Sequence, residues 1–196
     1  SVVGGGDVVL STSLTIDTEN GNTPSVTNVG GVNFGTSAVS ASAAGVDFRI
    51  DTSNTAGGSV GGSVTLAGFN NAGGGQYVND LTIVTSGPTT ATFGSVSFTG
   101  AVTLTDHGAD AAVLSITGGA TTQAAPIVAT GLELLGSGPF TLTHGGNDVD
   151  TLAADTTGAI SVTDADDLSI GTVWGVPTSG IATGDAGTDG GDVTVN

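Results

Sequence analysis

Short bursts of alternating apolar and polar residues recur along the whole chain. They include Asp7-Val8-Val9-Leu10, Ser13-Leu14-Thr15-Ile16-Asp17, Val46-Asp47-Phe48-Arg49-Ile50-Asp51, Ser63-Val64-Thr65-Leu66, Leu81-Thr82-Ile83-Val84 and Ser95-Val96-Ser97-Phe98. The series continues through Ala101-Val102-Thr103-Leu104-Thr105, Val113-Leu114-Ser115-Ile116, Phe140-Thr141-Leu142-Thr143, Ala159-Ile160-Ser161-Val162, Leu168-Ser169-Ile170 and Asp192-Val193-Thr194-Val195. Gly, Asn, Asp or Ser bounds each burst, as turn residues bound short strands. No window carries the i, i+3, i+4, i+7 stripe of a helix; the alanines of 38–44 come nearest, and Gly45 stops them. The pattern predicts an all-β chain. Within it, Ile50 points inward and Arg49 points outward between Asp47 and Asp51.

An apolar–polar–isoleucine triplet sets the larger rhythm. It stands at Leu14-Thr15-Ile16, Phe48-Arg49-Ile50, Leu81-Thr82-Ile83 and Leu114-Ser115-Ile116, at intervals of 34, 33 and 33 residues. Phe140-Thr141-Leu142 and Leu168-Ser169-Ile170 extend the series at intervals of 26 and 28. A glycine-led strand alternates with it, at Gly6, Gly62, Gly100, Gly158 and Gly191. Repetition of this kind predicts a parallel β-helix, or β-solenoid, of roughly 6–10 coils. Each coil pairs with the next about 4.8 Å away, so that aliphatic residues stack on their equivalents. The alternative is a β-sandwich, which calls for hairpin turns and strands every 8–12 residues. Asn-Gly, the strongest hairpin dipeptide, occurs once, at Asn20-Gly21.

Composition narrows the function. Of 196 residues, 35 are Gly, 32 Thr, 23 Val and 18 Ser, and Arg49 is the sole Lys or Arg. The net charge is −17. One arginine cannot neutralise phosphates, so nucleic acid is excluded as a partner. With no lysine, P-loop and Schiff-base chemistry are excluded too. There is no cysteine for a disulfide or thiolate metal site, and no run of 18 apolar residues for membrane insertion. A Thr/Ser/Asn/Asp surface lacking lysine suits a secreted protein of the cell surface.

The stretch Asn147–Asp155, then Gly158–Val162, Leu168–Val173, Gly180–Thr183 and Gly191–Val195, resembles the β-strand-repeat surface proteins of bacteria. These are of the filamentous-haemagglutinin and autotransporter adhesin type, and segments 44–67 and 79–104 share the style. The resemblance implies a right-handed parallel β-helix, secretion, and adhesion or surface structure. It also implies a single solenoid domain over 1–196 that is a repeat unit, subunit or fragment of a longer protein, with cell-surface glycans as candidate partners.

Chemistry is sparse. Arg49 reads as a solvated ion pair. Trp174 and Tyr77 are the large amphipathic rings, a thin platform for sugars. Asp164 and Asp166 form one of many acidic pairs. His107 and His144 each follow a Thr-rich strand and read as turn residues. Gly57-Gly58-Ser59-Val60-Gly61 matches a nucleophile elbow, a chance match at this glycine content. Calcium is the candidate ligand. Gly145–Leu152 resembles one repeats-in-toxin nonapeptide, with Asp148 and Asp150 as ligands, and Asp164 and Asp166 form a second oxygen-rich turn. Asp185–Asp189 forms a third. Capping of turns by these aspartates is the competing explanation.

The sequence therefore reads as a non-enzymatic structural or adhesive solenoid that needs no cofactor. The alternative is a polysaccharide-active enzyme or calcium-stabilised carbohydrate-binding module on the same scaffold. Gly6-Asp7-Val8 near one end matches Gly191-Asp192-Val193 near the other, which predicts the same phase of the repeat at both. Bare end coils then pair head to tail with another copy or a neighbouring repeat.

Overall fold

The computed structural model describes residues 6–18, 30–54, 60–70, 75–87, 92–184 and 190–196, and all regular structure within them is strand. In chain order the strands are β1 (Val8–Leu10), β2 (Leu14–Asp17), β3 (Val32–Asn33), β4 (Val39–Ala41), β5 (Val46–Asp51), β6 (Val64–Leu66) and β7 (Phe69–Asn70). There follow β8 (Val78–Val84), β9 (Val96–Phe98), β10 (Val102–Thr103), β11 (Val113–Gly118), β12 (Thr121–Gln123) and β13 (Ile127–Gly136). The last are β14 (Phe140–Leu142), β15 (Asp148–Thr156), β16 (Ile160–Val162), β17 (Ser169–Ile170), β18 (Ile181–Thr183) and β19 (Val193–Val195). Every pairing between these strands is parallel. Parallel pairing overturns the β-sandwich alternative, whose sheets are antiparallel.

The strands fall into three rows. Row 1 runs β1, β4, β7, β10 and then the first part of β13 and of β15. Row 2 runs β2, β5, β8, β11, the second parts of β13 and β15, and then β17 and β18. Row 3 holds seven strands, β3, β6, β9, β12, β14, β16 and β19. The chain visits the rows in turn and returns one strand further on, making one rung per circuit.

Alternation makes the core. In row 2 one inward column reads Leu14, Phe48, Leu81, Leu114, Leu132, Leu152 and Ile170, in register. Its five middle members are at most 1% exposed, whereas Leu14 and Ile170 at the two ends are 41% and 48% exposed. Beside it stand Ile50, Ile83, Ile116 and Leu134, all fully buried. Arg49 points out, half-exposed, and its Nη2 donates to Asp51 Oδ2 at 2.7 Å. The predicted facing of that strand therefore holds.

Several expectations need correction. After Leu114 the column continues at Leu132 and Leu152, 18 and 20 residues on, and Phe140 belongs to row 3. In these two rungs fewer residues separate one strand from the next than in the earlier ones. β13 and β15, the longest strands, lie outside the alternating bursts, because Gly131 and the Leu134-Leu135 pair and then Ala153 and Ala154 break the apolar–polar alternation. The alanine-rich run holds strand β4. Gly6 and Gly100 precede row 1, whereas Gly62, Gly158 and Gly191 precede row 3.

The row 3 glycines form a complete column: Gly30, Gly62, Gly94, Gly119, Gly138, Gly158 and Gly191, each two residues before a strand. Backbones pass so closely there that a Cβ on Gly94 would stand 2.4 Å from the Gly62 carbonyl oxygen. The buried hydroxyls of Thr52 and Thr85 donate to the Gly62 and Gly94 carbonyls at 2.6 and 2.8 Å, which satisfies acceptors at that tight corner.

Candidate functional site

Outward residues of row 2 also stack. Thr82, Ser115, Glu133 and Ala153 form one outer column, and Val113, Gly131, Thr151 and Ser169 form the next. Residues 171–180, between β17 and β18, leave the rung and fold back across this surface. Gly180 N–H donates to the Gly171 carbonyl (2.8 Å), Thr172 pairs antiparallel with Ser179, and their hydroxyls bond at 2.7 Å. Val173 is the anchor: it is buried against Val113 and Ala153. The hollow that receives it exists because residue 131 is glycine, where a Cβ would lie 2.5 Å from Val173 Cγ1.

Under this hairpin Glu133 is 3% exposed, yet both carboxylate oxygens are bonded. Ser115 Oγ donates to Oε2 and Thr178 Oγ1 to Oε1, each at 2.6 Å. These bonds tie the hairpin to two rungs, as burial of a charged group demands.

Beside the hairpin lies a groove of about 260 Å³ lined by Asp80, Thr82, Asp110, Val113, Ser115, Trp174, Gly175 and Val176. Trp174 is 61% exposed, and its indole N–H donates to Asp110 Oδ1 at 3.2 Å. Asp110 closes a turn with His107, whose Nδ1 is 3.0 Å from the Tyr77 hydroxyl. Asp80 Oδ1 accepts from the Val113 amide (2.9 Å) and from Asn79 Nδ2 (3.1 Å). Burial pushes the Asp80 carboxyl up to about 6, and the Asp47 and Asp110 carboxylates push the same way. The groove thus joins an exposed aromatic face to carboxylates that repel one another.

The calcium candidates lie elsewhere. Asp148 and Asp150 are exposed and line a second groove of about 280 Å³ with Asp106. Asp164 caps backbone: Oδ1 accepts from the Val149 amide (3.0 Å) and Oδ2 from the Asp166 amide (3.3 Å). Burial raises its carboxyl above the ordinary value, with Asp166 and Asp148 adding. Among the described residues no three acidic or histidine side chains converge as a metal-ligand set. The Asp185–Asp189 turn and most of the Gly57–Gly61 match lie outside the described residues.

The repeats-in-toxin likeness fell on a segment with another use. Asn147, within it, is a buried corner residue bonded to Gln123, Ile127, Leu142 and Thr163. His144 follows row 3 and its Nδ1 accepts from the Gly146 amide, whereas His107 follows row 1. The histidines therefore do not stack.

The two Gly–Asp–Val segments are not equivalent either. Val8 pairs with Val39 in row 1, and Val193 pairs with Ile160 in row 3. Both rows use a glycine two residues before a valine, so the motif does not tell them apart. Asp80 and Asp110 were not singled out by the sequence pattern. The available signal was the Gly171-to-Gly180 bracket around Trp174 and Pro177.

No protein-family model, curated protein or solved structure matches this chain.

Proposed function

We propose that the chain is a right-handed parallel β-solenoid serving a structural and adhesive role, without catalysis, in a fibre on the outer surface of a cell. It extends end to end through further copies or neighbouring repeats. The observation that carries this reading is the parallel ladder whose end strands have, among the described residues, one partner strand each. Leu14 and Ile170 terminate the same inward column and are 41% and 48% exposed, although their counterparts between are buried. Val193 and Val195 are 43% and 40% exposed at the end of row 3. Stacking one copy on another sets Ile170 against Leu14 and continues the column, and a head-to-tail contact of this kind does not close. Divalent cations such as calcium act on the −17 surface by screening.

Sedimentation velocity across a concentration series, with electron microscopy of the same samples, tests the reading. Growth in length at constant width is expected, and Ile170→Lys abolishes it. A monomer at every concentration overturns the proposal.

A further inference from the structure

The groove beside the 171–180 hairpin carries negative charge that the chain itself does not balance. Arg49 is the sole Lys or Arg, and its guanidinium is engaged by Asp51. Of the two histidines, His107 is held by Tyr77 and His144 receives the Gly146 amide. Yet Asp80 and Asp110 line one cavity, with the Asp47 carboxylate acting on Asp80 from the neighbouring strand. Trp174 stands over the same cavity with its indole edge fixed on Asp110 and its surface mostly open.

We propose that this groove binds an organic ammonium group, stacked on the face of Trp174 and neutralised by Asp80 and Asp110. An aromatic face attracts a cation through its quadrupole, most strongly for tryptophan. Because the ring is already held by a hydrogen bond, little rotamer freedom is lost on binding. An anionic sugar or phosphate is repelled by the carboxylates. A neutral sugar stacks on the same ring but leaves the charge of the two carboxylates unbalanced. A bare metal ion makes no use of the ring, and the lining forms no metal-ligand set among the described residues. A volume of about 260 Å³ admits one ammonium head, not an extended chain. The −17 chain also steers cations toward it. The same chemistry is offered by a small quaternary amine and by a lysine side chain of a partner protein.

Tetramethylammonium chloride is titrated into the chain against sodium chloride at equal ionic strength, with emission of Trp174, the one tryptophan, as the readout. A saturable shift with tetramethylammonium and none with sodium is expected. Ligand-detected NMR then compares variants. Trp174→Leu and Asp80→Asn each weaken binding roughly tenfold, and Trp174→Phe restores part of the loss, which separates ring contact from hairpin packing. Asp167→Asn removes the same charge from an exposed position and leaves binding unchanged. A short lysine peptide that binds more tightly than tetramethylammonium assigns the source to a protein partner; the reverse order assigns it to a small amine. Equal responses to sodium and tetramethylammonium, or saturation by methyl glucoside alone, overturn the proposal.

Discussion

Asn147→Ala should be among the most damaging single substitutions in the chain, although it removes only a small polar side chain. Asn147 is 2% exposed at the corner between β14 and β15. Its Oδ1 accepts from the Ile127 amide at 2.9 Å and from Gln123 Nε2 at 2.7 Å. Its Nδ2 donates to Gln123 Oε1 (3.1 Å), the Leu142 carbonyl (3.0 Å) and the Thr163 carbonyl (2.8 Å). One side chain thus joins the rung that holds Gln123, its own rung, and the next rung at Thr163.

Alanine leaves the Ile127 N–H without its acceptor in a buried corner, a loss of about 1–3 kcal/mol. The reciprocal amide pair with Gln123 adds about 1 kcal/mol and the Thr163 carbonyl a similar amount. Leu142 keeps its bond from the Thr163 amide, so it adds little. The sum is about 3–5 kcal/mol, a large share of the 5–15 kcal/mol typical of a folded domain. Urea denaturation reads the total, and amide exchange at Ile127 reads the orphaned group. Gln123→Ala, alone and combined with Asn147→Ala, should show coupling of about 1 kcal/mol or more. A loss under about 1 kcal/mol with Ile127 still protected refutes the corner argument.

Other consequences can be checked with the same unfolding assay. Ile50→Asp places a carboxylate in a fully buried column and should cost about 4 kcal/mol or more, whereas Arg49→Ala, which frees a half-exposed ion pair, should stay within about 1 kcal/mol; equal effects would overturn the facing of β5. Gly94→Ala forces a Cβ to 2.4 Å from the Gly62 carbonyl oxygen and should cost about 2–3 kcal/mol. Gly145→Ala, with open space around it, serves as the control, and equal melting of the two variants would contradict the glycine column. Asp80, raised from 3.8 to about 6, binds a proton more tightly when folded, so stability falls as the pH rises between those values. Asp80→Asn removes that fall and should stabilise the chain by on the order of 1 kcal/mol at pH 7, allowing for solvent screening of a partly exposed group. No gain at pH 7 over pH 4 counts against the assigned burial.

The inward columns were legible because a stacked ladder demands the same kind of residue at the same place in each rung. Leu14, Phe48, Leu81 and Leu114 therefore announced their register through 33- and 34-residue spacing alone, and those pairs are in contact. Where fewer residues separate the strands after Leu114, that spacing ends, because alternation constrains strands and says nothing of the length between them. Glycine before valine marked corners without telling row 1 from row 3, since either corner needs a small residue. Of the groove, only Trp174 and the glycine bracket around it were legible. Asp80, Asp110 and Trp174 meet only because the hairpin after β17 folds back over earlier rungs and drops Val173 into the hollow above Gly131. That contact depends on the shape of a surface built by three separate rungs, which no local pattern of residues encodes.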